Sequence, residues 1–305
     1  MRRLLPALVF LAACAGQSVQ TGDHIVAKPA ASLDALREKL QSIIAATPGA
    51  DVAVYYRDLA GPDSLTLQPD VSFHAASTMK VPVMIELYRR VDAKALTLDQ
   101  TLTLTNTFAS IVDSSTYSLT RTDDSDHQLY TRVGTQVPLR ELNDRMITRS
   151  SNLATNTLIG LLDARKVNAT AHALGANNIS VLRGVEDQKA FDKGLNNTTT
   201  ARDLGVLMAA IEQEVAASPR SCAAMKTVLT RQEFNTEIPA GLPAGTPVAH
   251  KTGWITGSLH DAAVVYPNGR KPYVLVVLTR KIPLEQTAQT LIAELSREVY
   301  AYAMK

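Results

Sequence analysis

The chain has 305 residues, of which 46% are hydrophobic and 20% are charged, and its formal net charge is +2. This length and apolar content suffice for one large domain, or for two closely packed subdomains with a substantial core. Because the chain carries neither a long charge run nor a basic stripe, nucleic acid is not an expected partner.

The first residues, MRRLLPALVFLAACAG, have the pattern of an export signal. Two arginines precede an apolar run that is too short for a transmembrane helix. The run ends in Leu-Ala-Ala-Cys, which resembles the lipobox of bacterial lipoproteins. That resemblance implies a signal peptide over residues 1–13 and a lipid on Cys14 that anchors the protein to a membrane. Simple signal cleavage a residue or two later is the alternative. Either outcome predicts an exported protein of the cell envelope or periplasm.

The next segments alternate between unpatterned and periodic sequence. Residues 14–31 lack periodicity and are predicted to form a tether, whereas Ser32 is a typical N-cap for an apolar-striped helix. Alternation predicts strands at 51–59 and 64–67 around a turn. The middle of the chain is predicted to be helical, with helices at about 78–92, 138–148, 152–163, 168–174, 200–214 and 219–231.

The last third returns to strands, predicted at 247–251, 260–266 and 273–279, followed by an amphipathic helix at 285–302. Strands at both ends of the chain thus flank a helical middle. This order predicts an α/β (α+β) fold in which an antiparallel sheet, from about 32–75 and 245–305, is flanked by terminal helices. An all-helical subdomain, about 76–244, is inserted, and together they form one catalytic domain over 32–305. A ligand-binding cleft is expected between the two parts.

The segment 105–137 fits neither the helical nor the strand period and is rich in Thr, Ser and Asp. Long irregular segments inside a compact domain are often functional. Two interpretations stay open for it: a solvated surface excursion, or a loop that shapes the cleft.

Ser77 stands three residues before Lys80 at the predicted start of an apolar-striped helix. Positions three apart share a helix face, and burial on the apolar stripe would lower the pKa of the lysine and make it a base. Backbone N–H groups at a helix start favour a developing anion. The pair therefore suits a nucleophile with its base, although Ser is also a common N-cap and Ser-x-x-Lys alone is a weak signal.

Two further motifs strengthen this interpretation: Ser150-Ser151-Asn152 between two helices, and HKTGWITG at 250–257. Ser-x-x-Lys, Ser-x-Asn and Lys-Thr-Gly, in that order, resemble the signature of the serine penicillin-recognising enzymes, and the chain is similar to class A beta-lactamases over about 32–305. The fold expected from this resemblance is that of the beta-lactamases and transpeptidases, and it agrees with the predicted order of strands and helices.

The resemblance implies a role for each motif residue. Ser77 would attack the carbonyl and form an acyl-enzyme, Lys80 would accept or relay its proton, and Ser150 would pass a proton to the leaving nitrogen. The resemblance further implies a substrate-binding set of Asn152, Lys251, Thr252, Gly253 and Trp254. In this set Lys251 attracts a substrate carboxylate and Thr252 hydrogen-bonds it. The backbone N–H of Trp254 completes an oxyanion hole with that of Ser77.

The sequence departs from the class A pattern at two places. Ser151 stands where these enzymes have an aspartate, which puts the rigidity of that turn in doubt. The loop 182–203 lacks the usual Glu-x-x-Leu-Asn, although Glu186 lies 36 residues after Ser150, close to the family separation. Glu186 is predicted to be the general base for deacylation, with Asp187 as the alternative and a solvated acidic residue as the competing explanation.

No cofactor is expected, and the six histidines show no spacing typical of zinc ligands. His260 could contribute a cation for the substrate carboxylate, or be structural. The predicted function is a serine beta-lactamase acting as a monomer on a small-molecule beta-lactam. The alternatives are a penicillin-binding enzyme that acts on peptidoglycan peptides and deacylates slowly, or a non-catalytic envelope lipoprotein of the same fold.

Overall fold

The computed structural model describes residues 29–305. The predicted signal peptide, the lipidation at Cys14 and most of the predicted tether lie outside the described residues. The helices of the described part begin and end as follows: α1 (Leu33–Ala45), α2 (Lys80–Asp92), α3 (Leu139–Thr148), α4 (Asn152–Leu162), α5 (Ala164–Ala173), α6 (Gln188–Asp192), α7 (Ala201–Glu212), α8 (Pro219–Leu229) and α9 (Glu285–Ala303).

The strands of the main sheet come from both ends of the chain. They are β1 (Asp51–Asp58), β2 (Ser64–Leu67), β9 (Val248–Ile255), β10 (Ser258–Val265) and β11 (Tyr273–Arg280), in the spatial order β2-β1-β11-β10-β9. All four pairings are antiparallel. Short strands form small two-stranded pairs: β3 (Phe73–His74) with β8 (Thr198–Thr199), β4 (Thr101–Thr103) with β7 (Gln136–Pro138), and β5 (Phe108–Ala109) with β6 (Thr116–Tyr117).

Both faces of the sheet are covered, which follows from the alternation of side chains along a strand. In β1, Val52, Val54 and Tyr56 pack with α1 and α9, and the intervening Ala53 and Tyr55 pack toward the helical part. The buried strand β11 divides its side chains in the same way. The predicted fold class, an antiparallel sheet flanked by terminal helices with an inserted helical part, is confirmed.

β9 is an edge strand of the sheet and faces the short 3₁₀ turn Ala76–Met79 that precedes α2. A Cβ on Gly253 would lie 3.0 Å from the backbone N of Ser77. Glycine at this position therefore lets the strand edge approach the start of the 3₁₀ turn. This approach fixes where the sheet meets the helical part.

None of the helices between residues 29 and 305 is long and apolar enough to cross a bilayer.

Candidate active site

The three motifs meet in one cleft. Two adjoining cavities, of about 330 and 620 Å³, share Ser77, Asn152, Glu186 and the end of β9 in their walls. Ser77 comes from the 3₁₀ turn, Asn152 from the first turn of α4, and Trp254 from β9. The larger cavity is also lined by Ser150, Thr252 and Gly253. The predicted cleft between sheet and helical part thus holds the predicted nucleophile in its wall.

Lys80 is fully buried at the start of α2, and its Nζ makes three hydrogen bonds. It donates to the backbone O of Ser150 at 2.7 Å, to Ser150 Oγ at 3.2 Å and to Asn152 Oδ1 at 3.0 Å. Burial, and then the charge of Lys251, hold the pKa of Lys80 well below its ordinary value, while the Asp124 and Glu186 carboxylates oppose this shift. Such an amine is more readily neutral, and a neutral amine can accept a proton as a general base.

Lys251 approaches the same hydroxyl from the sheet side. Its Nζ donates to Ser150 Oγ at 3.0 Å and to the backbone O of Thr252 at 2.9 Å. Burial lowers the pKa of Lys251 to about 7, against the opposing charges of Asp261 and Glu237. Ser150 Oγ therefore lies between two buried amines that both exchange protons at reduced pKa, an arrangement suited to a proton shuttle. No hydrogen bond among residues 29–305 joins Lys80 Nζ directly to Ser77 Oγ.

The backbone is strained at three positions around the cleft. Ala76, Ser150 and Glu186 have φ values of 46°, 56° and 60°, in the left-handed region that non-glycine residues rarely adopt. Residues held in this way persist only where surrounding contacts fix them, and they concentrate at functional sites. In this chain Ala76 precedes the predicted nucleophile Ser77, and the other two are themselves the predicted proton shuttle and the predicted base.

Ser151 explains how the second motif keeps its shape without an aspartate. Its side chain caps α4 by accepting from Ala154 N, so Ser150 and Asn152 are left to face the cleft. A buried carboxylate comes instead from the segment 105–137: Asp124 Oδ2 accepts from Leu153 N at 2.9 Å and from the Tyr130 hydroxyl at 3.0 Å. Asp124 therefore braces the turn and supplies negative charge near Lys80.

The interpretation of the segment 105–137 as a solvated surface excursion is wrong for its buried residues. Arg145 Nη1 donates to both carboxylate oxygens of Asp126, at 3.0 and 2.9 Å. Ser110 Oγ donates to Asp187 Oδ1 at 2.9 Å. Asp123 and Ser125 line the larger cavity. The segment thus joins the motif turn to the loop that carries Glu186 and forms part of the cleft wall.

The two predicted base candidates lie in different environments. Glu186 is exposed and lines both cavities. The Asp187 carboxylate is buried and occupied: it caps α6 by accepting from Ala190 N at 3.1 Å, and it also accepts from Ile111 N at 3.0 Å. These contacts favour Glu186 over Asp187 as the group that can reach a molecule in the cleft.

The Glu186 loop is held by residues outside the predicted catalytic and substrate-binding sets. Asn156, one turn after Asn152 on α4, accepts from Val185 N at 2.7 Å and donates to Val185 O at 3.0 Å. A Cβ on Gly184 would lie 2.5 Å from Asn156 Oδ1, so a larger residue at this position would force the loop or Asn156 to shift. Asn197 closes the loop by accepting from the N–H groups of Leu182 and Arg183. A buried asparagine four residues after a motif asparagine was the available signal.

His260 is fully buried and does not line either cavity. Its Nε2 lies 2.9 Å from His74 O, and Thr279 N donates to its Nδ1 at 3.2 Å. Burial lowers the pKa of His260 to about 4. The suggestion that it supplies a cation for a substrate carboxylate is therefore wrong, and the residue is structural. Across the described part of the chain, no cluster of three or more His, Cys, Asp or Glu residues could hold a metal ion.

Comparisons with known proteins identify related sequences and structures. The family model described as "Beta-lactamase enzyme family" matches residues 35–303. Beta-lactamase AST-1 of Nocardia asteroides is 30% identical over 98% of this chain and 94% of its own length. The structure of PBP-A is 30% identical, covers 90% of this chain and 98% of its own, and superposes with a TM-score of 0.77. A PBP-A mutant, solved as an acyl-enzyme complex with penicillin G, is 29% identical, covers 91% of this chain and 99% of its own, and has a TM-score of 0.77.

Proposed function

Because the chain belongs to the beta-lactamase enzyme family, as a divergent member of the class A type, we propose that it hydrolyses the amide bond of beta-lactams through an acyl-enzyme on Ser77. The observation that carries this proposal is the convergence of Lys80 Nζ and Lys251 Nζ on Ser150 Oγ, in a cleft whose wall holds Ser77. Nucleophile, proton acceptor and proton shuttle are the parts that acyl transfer requires.

In the acylation step, Ser77 Oγ attacks the lactam carbonyl carbon and its proton passes to neutral Lys80. The backbone N–H groups of Ser77 and Trp254 stabilise the tetrahedral oxyanion. As the C–N bond breaks, Ser150 Oγ gives its proton to the departing nitrogen and is reprotonated from Lys80. Lys251 keeps positive charge beside Ser150 and, with Thr252, binds the substrate carboxylate, while Asn152 binds a substrate amide. Gly253 lets the substrate lie along the edge of β9.

In the deacylation step, Glu186 takes a proton from a water molecule that attacks the ester carbonyl, and the proton returns to Ser77 Oγ as the ester C–O bond breaks. Asn156 and Gly184 hold the backbone beside Glu186. An exposed carboxylate on a fixed loop at the cleft wall is suited to this role.

A second candidate is an enzyme that acylates in the same way but deacylates slowly, with a peptidoglycan peptide as its natural substrate. Its support is the unorthodox loop, in which Ala190 stands where an asparagine is usual, together with the likeness to PBP-A. The full set of motif side chains argues against a non-catalytic module. We further propose an exported monomer held at the cell envelope by lipid on Cys14.

The test follows the intact mass of residues 29–305 mixed with penicillin G, alongside appearance of the hydrolysed product. A beta-lactamase releases product over many turnovers with little lasting adduct. A persistent adduct of one penicillin without turnover supports the second candidate. Ser77→Ala is the matched variant, and neither adduct nor product is expected from it. An adduct that survives in Ser77→Ala contradicts the nucleophile assignment.

A further inference from the structure

A hairpin formed by β5 and β6, residues 108–117, contacts the loop that carries Glu186. The two short strands pair antiparallel, and Ser110 N donates to Ser115 O at 2.8 Å where they meet the connecting turn. Neither the acylation step nor the deacylation step uses a residue of this hairpin. Its side chains and backbone nevertheless bond to the loop at several points, so the hairpin can act on the position of the loop.

Asp187 makes the buried part of this contact. Only 2% of the residue is exposed. Its carboxylate accepts from Ser110 Oγ at 2.9 Å and from Ile111 N at 3.0 Å, both on the hairpin, and from Ala190 N at 3.1 Å, in α6. Bonds to a charged acceptor are stronger than bonds between neutral groups. One side chain therefore ties the residue that follows Glu186 to the hairpin and to α6 at once.

Two further contacts join the hairpin to the loop. The Tyr117 hydroxyl donates to Val185 O at 3.2 Å. Lys189 Nζ donates to Asp113 Oδ2 at 2.8 Å and to Ser115 Oγ at 2.6 Å. Lys189 and Asp113 are exposed, so this pair adds less than the buried contact. Contacts from the hairpin therefore lie on both sides of the predicted base.

Glu186 is in a backbone conformation that needs such support. Its φ is 60°, in the left-handed region, while its side chain is exposed and lines both cavities. A residue other than glycine is strained there and persists only where its surroundings hold it. The hairpin bonds to the residue before it, Val185, and to the residue after it, Asp187. Without these bonds the backbone can relax, and the carboxylate then loses its place in the cleft wall.

We propose that Asp187 is a positioning residue, which through the 108–117 hairpin holds Glu186 in the left-handed conformation that places its carboxylate in the cleft. The inference rests on the proposed function, in which Glu186 activates water for deacylation, and it gives Asp187 a task other than that of a base. Acylation depends on the motif residues, which lie on other elements. Loss of the contact should therefore slow deacylation and spare acylation.

The experiment measures the acylation rate and the deacylation rate separately, by quenched-flow intact mass with penicillin G. Asp187→Ala removes all three acceptor contacts and should slow deacylation about tenfold, while acylation changes by less than about twofold. Asp187→Asn keeps one oxygen that can accept from Ser110 Oγ and Ala190 N, and it should restore most of the deacylation rate. A general base could not be replaced in this way, because an amide does not accept the proton of a water molecule.

Ser110→Ala tests the contact from the side of the hairpin. It removes one donor to Asp187 and should slow deacylation by less than Asp187→Ala does, and the double variant should be no slower than Asp187→Ala. Ser221→Ala is the matched control, because Ser221 is also a buried serine whose hydroxyl donates to an aspartate, Asp92 Oδ1 at 2.6 Å. It joins α8 to the end of α2 and should leave both rates unchanged. Thermal melting checks that each variant is folded.

Hydrogen exchange of the peptide 183–193 gives a second measurement that needs no turnover. Ser110→Ala and Asp187→Ala should speed this exchange, and Ser221→Ala should not. The inference is overturned if exchange of this peptide is unchanged in both variants, if acylation and deacylation fall equally, or if Asp187→Asn is as slow as Asp187→Ala. A wild type that never acylates contradicts the proposed function itself. The exchange measurement still shows whether the hairpin holds the loop, so the two failures are distinguishable.

Discussion

Asp124→Ala tests whether the segment 105–137 holds the motif turn in place. The wild-type carboxylate accepts three hydrogen bonds: from Leu153 N at 2.9 Å, from the Tyr130 hydroxyl at 3.0 Å and from Asp126 N at 3.0 Å. The half-buried Tyr130 hydroxyl can turn to water, but the two backbone N–H groups cannot. Each orphaned buried donor costs about 1–3 kcal/mol, so the variant should lose roughly 2–6 kcal/mol of unfolding free energy.

At about 3 °C per kcal/mol for a domain of this size, the melting temperature should fall by roughly 6–18 °C. Differential scanning calorimetry measures this change. Asp123→Ala removes the neighbouring exposed carboxylate and should shift stability by less than about 0.5 kcal/mol. If Asp124→Ala melts within a degree or two of the wild type and of Asp123→Ala, Asp124 does not brace the turn and the argument is refuted.

Further outcomes follow from the loop and from the two lysines. Gly184→Ala would drive a Cβ into Asn156 and displace the Glu186 loop, so the acyl-enzyme should persist while acylation continues. Stopped-flow measurement of the deacylation rate tests this. Gly160→Ala is the neutral control, because a Cβ at Gly160 meets nothing within 4 Å. Lys251, with a pKa of about 7, should lose its charge as pH rises, so kcat should fall above about pH 7. Lys251→Arg keeps its charge, so the fall in kcat should move to higher pH in this variant. If the fall stays at the same pH, another group causes it.

The long elements of the fold could be predicted because their patterns are local. The alternation of 51–59 and the apolar stripe of 285–302 match β1 and α9 closely. The strand predicted at 247–251 was too short, since β9 continues through Gly253 and Trp254 to Ile255. Gly253 interrupts the strand pattern there. The reason for glycine at this position is a tertiary contact, the close approach of β9 to the backbone N of Ser77.

The residues of the candidate site likewise fall into two groups: those that local sequence motifs indicate and those that only tertiary contacts reveal. Ser77, Ser150 and Lys251 lie in short motifs whose order along the chain is informative, so sequence alone could point to them. Asp124 and Asn156 each act on a residue 29 positions away, Leu153 and Val185. Contacts at that separation follow from packing of the helical part and leave no periodic pattern. The role of Ser151 as the cap of α4 likewise depends on the folded turn, in which Ala154 N donates to its side chain.

The central claim has two parts: a beta-lactam acylates Ser77, and Glu186 then promotes hydrolysis of that acyl-enzyme. Glu186→Gln tests both steps in one variant. The glutamine keeps the size of the side chain but cannot accept the proton of a water molecule. Incubated with penicillin G and analysed by intact mass and peptide mapping, the variant should gain the mass of one penicillin on the peptide that contains Ser77 and hold it long after the wild type has turned over. Turnover at the wild-type rate, or an adduct on any other residue, would contradict the account.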